Sequence, residues 1–270
     1  MSNHFEKYKR RVQRNGNDVG EALTNNTIAF IESTFKASPT YRRMEVERTV
    51  NGIHETFEMD ARVVEIERLG SLREIILRPN DSLEIGTYVR FDGYTWLLYD
   101  KYGGTGSMSI KMLAIRCNRE VKWVDRNGKL VKYNCVASAT DIGSKAKQSK
   151  NEIEWNKYDV RLPLGQLFMT LELNEDSKKI TLNDRFIFGR NVYEVTGVDD
   201  ITNVGVDGYG VIQFTIKITT QRDEDDFENE IAWNKWMTPK VEVKSTETNT
   251  VSKMTVSQEK EDKGKGGRIW

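Results

Sequence analysis

Hydrophobic and polar positions change their period along this chain. From Asp18 the pattern is helical. Asp18 can cap, Glu21 stands three residues on as in a capping box, and Leu23, Thr27, Phe30 and Ile31 fall on one side before Pro39 ends the run. Phe30, Ile31 and Phe35 read as a core face. Beyond Tyr41, two-residue alternation rich in β-branched residues takes over in RRMEVERTV and in HETFEMDARVVEIERLGSLREIILRP. Asn51-Gly52 between them is the dipeptide that type I′ hairpins favour. Propensity alone would also score the Glu-rich VVEIERL as helix. Val63, Ile66 and Leu69 lack a sustained helical partner set and Gly70 cuts the run short, so strand is the reading.

An internal repeat follows. IGTYVRFDGYTWLLYDKY from Ile85 lies on LNDRFIFGRNVYEVTGVD from Leu182, so that Val89 meets Phe186, Phe91 meets Phe188, Trp96 meets Tyr193 and Leu98 meets Val195, each 97 positions apart. Both copies read as a strand, a short polar turn (Asp92-Gly93 or Gly189-Arg190-Asn191) and a second strand. IILRP or LFMTLEL precedes them and MSIKMLAIR or GVIQFTIKITT follows, which suggests two small β-barrels or sandwiches related by duplication.

Between the copies, Asn127-Gly128 separates two alternating strands and is the strongest hairpin signal in the chain. Cys117 and Cys135 flank it without the spacing of paired metal ligands and read as buried thiols. SATDIGSKAKQSKNE then carries Lys145, Lys147 and Lys150 among small polar residues, a long loop by ordinary priors and hence functional or disordered.

The two ends differ in charge. KYKRRVQR at 7–14 has five cations and no acid, and reads as a solvated terminus or as a contact for phosphate or an acidic surface. DEDDFENE at 223–230 has six acids and runs into IAWNKW. It lacks the ligand spacing and central glycine of an EF-hand, which leaves a solvated acidic face or a docking segment with aromatic anchors. From Pro239 the chain is mostly Ser, Thr, Lys and Glu, too polar to order itself alone, although it ends on Ile269 and Trp270.

Composition narrows the function classes. Lys plus Arg and Asp plus Glu are 41 each, so net charge is zero, which argues against binding nucleic acid through an overall basic field. Two histidines leave little conventional acid/base or metal chemistry, no glycine run ends in Lys-Ser or Lys-Thr, and neither His4 nor His54 sits near a nucleophile elbow. The expectation is a non-enzyme with no cofactor and no metal. A charged N-terminus and the lack of a long apolar run predict a soluble, cytosol-made chain. Tyr88, Phe91, Tyr94 and Trp96 with Arg90 keep open a β-barrel module for single-stranded nucleic acid.

GTYVRFDGYTWLL, IRCNREVKWVDRNGKLVKYNC, TLNDRFIFGRNVYEVTGVDDIT and DEDDFENEIAWN together resemble head-tail connector proteins of tailed bacteriophages and prophages of Firmicutes, over about residues 5 to 235. The most specific piece is Arg116-Cys117-Asn118 with Lys122-Trp123 and Asp125-x-x-Gly128. The resemblance implies a virion neck protein of head-closure (stopper) or adaptor type, made in the host bacterial cytoplasm. It would form a cyclic homo-oligomer, twelve-fold or six-fold, below the portal. Its partners would be the portal or adaptor ring, the tail terminator or tail tube, and packaged double-stranded DNA held non-specifically in the lumen. A tail terminator or tail-tube component is the alternative station.

The resemblance also implies SH3-like barrels. The expected architecture is therefore mainly β: two small SH3-like β-barrel or sandwich units joined by a β-hairpin, with an N-terminal helix and a flexible C-terminal tail. Its divisions are 1–17, a basic arm; 18–117, helix and first barrel; 118–237, hairpin and second barrel; and 238–270, a disordered or docking tail. Lys145, Lys147 and Lys150 are the candidate lumen or DNA contacts. Arg10, Arg11, Phe227, Ile231, Trp233 and Trp236 are the candidate partner interface.

Overall fold

The computed structural model describes residue 4, residues 6–9, residue 16 and residues 18–237 apart from 51–52, 67–69, 103–107, 140–164 and 206. The Asn51-Gly52 dipeptide, the glycine run after Tyr102, the Lys145–Lys150 loop and the C-terminal unit Thr238–Trp270 lie outside the described residues.

Helix α1 (Val19–Thr34) starts where the sequence places it, with the Asp18 carboxylate accepting the Glu21 N–H at 2.8 Å. Its expected core face is corrected by its last turn. Phe35, in the 3-10 turn Phe35–Ala37, is fully buried, whereas Phe30 is 67% exposed. At about 100° per residue, Phe30 points about 140° away from Phe35, while Ile28 and Ile31 lie beside it.

The first barrel comprises β1 (Tyr41–Val50), β2 (Ile53–Glu65), β3 (Leu72–Leu77), β4 (Tyr88–Phe91), β5 (Tyr94–Tyr102) and β6 (Lys111–Arg116), in the order β1-β2-β3-β6-β5-β4. It closes by backbone pairing of β1 with β4, Glu45 to Arg90 through Glu47 to Tyr88. The Glu-rich run is strand as far as Glu65, where β2 pairs with β3 from Ala61 to Glu65; residues 67–69 lie outside the described residues. Inward positions form the core, where Phe91 and Trp96 stack at 5.0 Å among Met44, Val46, Ile75, Leu77, Val89 and Leu98.

β7 (Arg119–Val124), β8 (Leu130–Ser138), β9 (Gln166–Glu172), β10 (Arg185–Phe188), β11 (Asn191–Asp199) and β12 (Val211–Thr219) repeat that order as β7-β8-β9-β12-β11-β10. The β7–β8 hairpin expected between two barrels is thus the opening pair of the second. The 97-residue offset that relates Val89 to Phe186 also relates backbone bonds. Gly86 N–H donates to Leu98 O at 2.7 Å and Asn183 N–H to Val195 O at 2.9 Å, with positive φ of 92° and 69° at the two donors. Each copy also has a bulge at the same point, between Leu98 and Asp100 and between Val195 and Gly197. Duplication therefore extends to individual backbone irregularities, which register alone would not demand.

Turn chemistry follows the residues present. Asp92 and Gly93 both have positive φ (50° and 78°), as type I′ requires, whereas Gly189 alone does in the second copy (63°), the signature of type II′. The Asn127-Gly128 hairpin forms with a longer loop than that dipeptide usually makes. Asp125 N–H bonds Lys129 O at 2.9 Å, Gly128 N–H bonds Asp125 O at 3.0 Å, and Gly128 has φ of 80°, a three-residue loop ending in a left-handed glycine. The Asp125 carboxylate accepts the N–H groups of Asn127 (2.9 Å) and Lys129 (2.8 Å) and preorganises the turn.

Candidate functional site

Two surfaces arise where the barrels meet other chain, and both are built from matching positions. The first is the seam between the barrels. Leu72, Tyr88, Leu97, Tyr99 and Ile115 of the first pack against Val136 and Val211 of the second. The Tyr88 hydroxyl donates to Asn134 O at 2.6 Å and accepts the Glu172 N–H at 3.3 Å, so a buried phenol satisfies the second barrel's backbone. Burial, first of all, drives its pKa well above the usual tyrosine value. Asn203 Nδ2 donates to the Tyr99 hydroxyl at 3.0 Å. Backbones approach closely at Gly86 and Gly210, where a Cβ on Gly86 would stand 2.1 Å from Gly210 O.

The seam opens into two adjoining hollows of about 300 and 250 Å³ that share Arg48 and Glu172. Two of their cations are paired with acids. Arg48 bonds Glu55 at 2.9 Å and Arg90 bonds Glu47 at 2.9 Å, while buried Glu172 accepts from Asn174 Nδ2 at 3.1 Å. Lys132, Tyr133 and Asn134 complete one wall. Glu47, Glu55 and Glu172 balance Arg48, Arg90 and Lys132 around the larger hollow, which gives it no net preference for an anion. Cys117 and Cys135 lie near the seam, and burial pushes the Cys117 thiol up to about 12 and Cys135 up as well, so neither is a ready nucleophile. Among the described residues no group of three or more His, Cys, Asp or Glu could hold a metal ion.

The second surface lies where the second barrel would close. The end strands β7 and β10 share no ladder among the described residues, and the Trp123 ring meets Phe186 edge-on at 6.0 Å across the gap. Residues 220–237 form a clasp over these two strands. Arg185, at the start of β10, binds Asp225 with both guanidinium η nitrogens (3.0 and 2.9 Å), and gives further bonds to Trp233 O (3.0 Å) and Thr220 O (2.8 Å). Asp225 also accepts the N–H groups of Trp233 (2.9 Å) and Arg222 (2.8 Å). The pair is almost wholly buried, at 3% and 0% side-chain exposure.

Asn234 stands in for a neighbouring strand. It accepts the Arg185 N–H at 2.8 Å and donates to Arg185 O at 3.2 Å, satisfying the open edge of β10. On β7, Trp236 Nε1 donates to Val124 O at 3.0 Å, and Lys122 bonds Glu230 at 3.0 Å.

The sequence-predicted site residues divide accordingly. Ile231 is half-buried and bridges Asp226 by two 2.9 Å backbone bonds. Trp233, under the Arg222 guanidinium at 4.8 Å, and Trp236, beside Arg126 at 5.8 Å, are half-buried in the clasp. Phe227 points outward at 37% exposure, next to exposed Asp223, Glu224 and Glu228. Arg10, Arg11, Lys145, Lys147 and Lys150 lie outside the described residues. Of the four aromatic residues weighed for base stacking, Phe91 and Trp96 are core and Tyr88 is in the seam. Tyr94 is exposed, beneath the Arg116 guanidinium at 5.0 Å. Sequence reasoning missed Arg185, Asn234 and Tyr88 as joining residues. A cation heading an otherwise apolar strand, RFIF, was the available signal for Arg185.

Residues 119–217 match the family described as the YomX C-terminal domain, which is associated with Bacillus phages and prophages. The matched span begins at β7 and ends within β12, so it takes in the second barrel and stops short of the clasp. This part of the chain is similar to a phage-associated domain. No curated protein matches. Among solved structures, a MrkH described as a c-di-GMP-dependent transcription regulatory factor is similar at 10% identity and TM-score 0.20, over 75% of this chain and 86% of that one. The Klebsiella pneumonia MrkH–c-di-GMP complex is similar at 8% identity and TM-score 0.22, over 74% and 87%. Likenesses this loose carry no argument. No helix among the described residues is long and apolar enough to cross a membrane.

Proposed function

We propose that the chain is a non-catalytic structural subunit of a tailed-phage particle, stationed in the neck as a head-closure or adaptor ring between portal and tail. The observation that carries this reading is the match to a phage-associated family across the second barrel, which a buried seam joins to a first barrel of the same strand order. Such a body transmits shape. Its barrels are locked by Tyr88 and a glycine contact, and the larger hollow between them is lined by equal numbers of acids and cations. Copies would join through heterologous contacts that close into a cyclic ring. The outward Phe227 with its acidic neighbours is offered to the portal or tail components, and the lysine loop around Lys147 to DNA in the lumen.

The test is a phage carrying a nonsense codon in this gene, examined by electron microscopy with and without the protein supplied in trans. DNA-filled heads and unattached tails, rescued by complementation, are expected. Normal infectious particles lacking the protein refute the reading. Assembled heads with tails of abnormal length would move it to the tail terminator.

A further inference from the structure

Residues 220–237 fill a slot on the line where the first barrel zips shut. Val46 pairs there with Val89, whereas Phe186, the counterpart of Val89, meets the Trp123 ring across the gap between β7 and β10. The floor of the slot is apolar in the second barrel. Ile187 and Val192, 2% and 1% exposed, pack against Ala232 at 1%. Their counterparts in the first barrel are the exposed Arg90 and the half-buried Thr95. Asn234 bonds the edge of β10 and Trp236 bonds Val124 O on β7. An apolar floor beside a strand edge is the make-up of a site that receives an added chain.

The clasp enters this slot in two parts. Asp225 and Asp226 come first, and residues 231–237 return beside them after a four-residue turn closed by the two Asp226–Ile231 backbone bonds. That turn is exposed at Phe227, Glu228 and Asn229, and it holds Glu230 at a φ of 59°. The left-handed region penalises a residue with a Cβ, so glycine or asparagine is favoured there. Straightened, the turn loses that penalty and reaches at most about 17 Å from Asp226 to Ile231. The bonds it gives up lie at the surface, where water replaces them at small net cost. Every bond that residues 231–237 make to the barrel can form unchanged with the slot of a neighbour, which is why exchanged segments join copies cheaply.

We propose that residues 231–237 of each copy lie in the β7–β10 slot of the next, with the 227–230 turn extended as the connection. The proposal rests on the ring reading for the presence of a neighbour, and it names the residues by which one copy holds the next. Ala232 of one copy covers Ile187 of its neighbour, Asn234 satisfies the neighbour's Arg185 backbone, and Trp233 gives its N–H to the neighbour's Asp225. Passed on head to tail, the exchange closes when the ring closes.

Disulfide trapping in the full chain tests it. Ile187→Cys and Ala232→Cys chains carrying different tags are co-expressed, purified, oxidised mildly and run without reductant. A linked pair containing both tags is expected, and neither variant alone should give one. Glu230→Gly removes the penalty on the closed turn and should cut the yield of that pair roughly fivefold or more. The doubly substituted chain should give a ladder of linked copies. No mixed pair, with the doubly substituted chain bonded only within itself, overturns the proposal, as does a doubly substituted chain that forms no bond. A ladder that stops at two copies overturns the head-to-tail form. Linked pairs alongside normal particles from the nonsense-codon phage keep the exchange and remove the neck reading, and the opposite results keep the neck reading and remove the exchange.

Discussion

Replacing Asp225 by alanine tests whether the acidic segment belongs to the second barrel. The substitution leaves the Arg185 guanidinium buried at 3% exposure, with two carbonyl partners and no counter-charge, and frees the N–H groups of Trp233 and Arg222. Removing one member of a buried ion pair costs about 3 to 5 kcal/mol, because the remaining charge stays desolvated. Against a domain stability of about 5 to 15 kcal/mol, that is a large fraction. At about 2 to 4 °C per kcal/mol for a body of this size, the melting temperature should fall by about 6 to 20 °C. Urea unfolding followed by tryptophan fluorescence is the assay, since Trp123, Trp233 and Trp236 all sit in or beside the clasp. Replacing Arg185 by Met together with Asp225 by Leu should recover much of the loss, because two apolar groups leave no stranded charge. An Asp225→Ala protein within about 1 kcal/mol of wild type would refute the clasp as a structural element, since ordinary surface substitutions fall within about 0.5 kcal/mol.

Other outcomes follow from the same contacts. A chain ended at Met237 keeps every clasp bond described above and should melt as wild type in calorimetry, whereas one ended at Thr219 should lose the second barrel's cooperative transition. Gly86→Ala sets a Cβ 2.1 Å from Gly210 O at a φ of 92°, so a loss above about 2 kcal/mol in urea titration is expected from the seam. Tyr88→Phe leaves Asn134 O and the Glu172 N–H without their partner and should cost about 1 to 3 kcal/mol by the same titration. Bonds from the backbone N–H of Lys129, and then of Asn127, hold Asp125 below the ordinary carboxylate range. Its contribution is therefore present above the unfolded-state pKa and lost as pH falls through the folded-state value. Asp125→Asn should accordingly flatten the decline of stability below about pH 4, read from melts across acid pH.

The repeat was legible in the sequence because strand alternation and turn residues are local. Pairing Val89 with Phe186 and Trp96 with Tyr193 located the β4–β5 and β10–β11 hairpins, although Asn191, expected in the turn, opens β11, and even the shared bulge falls on that register. The helix face was legible only in part, since Phe30 and Ile31 are adjacent in sequence but about 100° apart around the axis. Residues 223–236 were legible as unusual and not as structural. Six acids within eight residues look solvated, and nothing local reveals that Asp225 among them meets a cation 40 positions earlier. Asn234 is harder still, because its role depends on an unpaired strand edge that exists only after the sheet has formed.

That edge explains why two copies of one topology end differently. Position 88 in the first copy corresponds by the repeat to position 185 in the second. Both head the fourth strand of their barrel, and both send a polar group to the chain that covers the barrel from outside. Tyr88 reaches Asn134 and Glu172 of the second barrel, while Arg185 reaches Thr220, Asp225 and Trp233 of the clasp. A tandem array buries each unit's exposed face against the next, so its last unit needs a different cover. Among the described residues the second barrel meets the clasp where the first meets a barrel. The charged pair then has a physical reason: a short irregular segment offers little apolar area, so it is fastened by four guanidinium bonds and an asparagine that imitates a strand. On this argument the clasp covers the second barrel as the second barrel covers the first. Grafting a further barrel in its place should require an apolar or phenolic residue at position 185, as the first copy has at Tyr88.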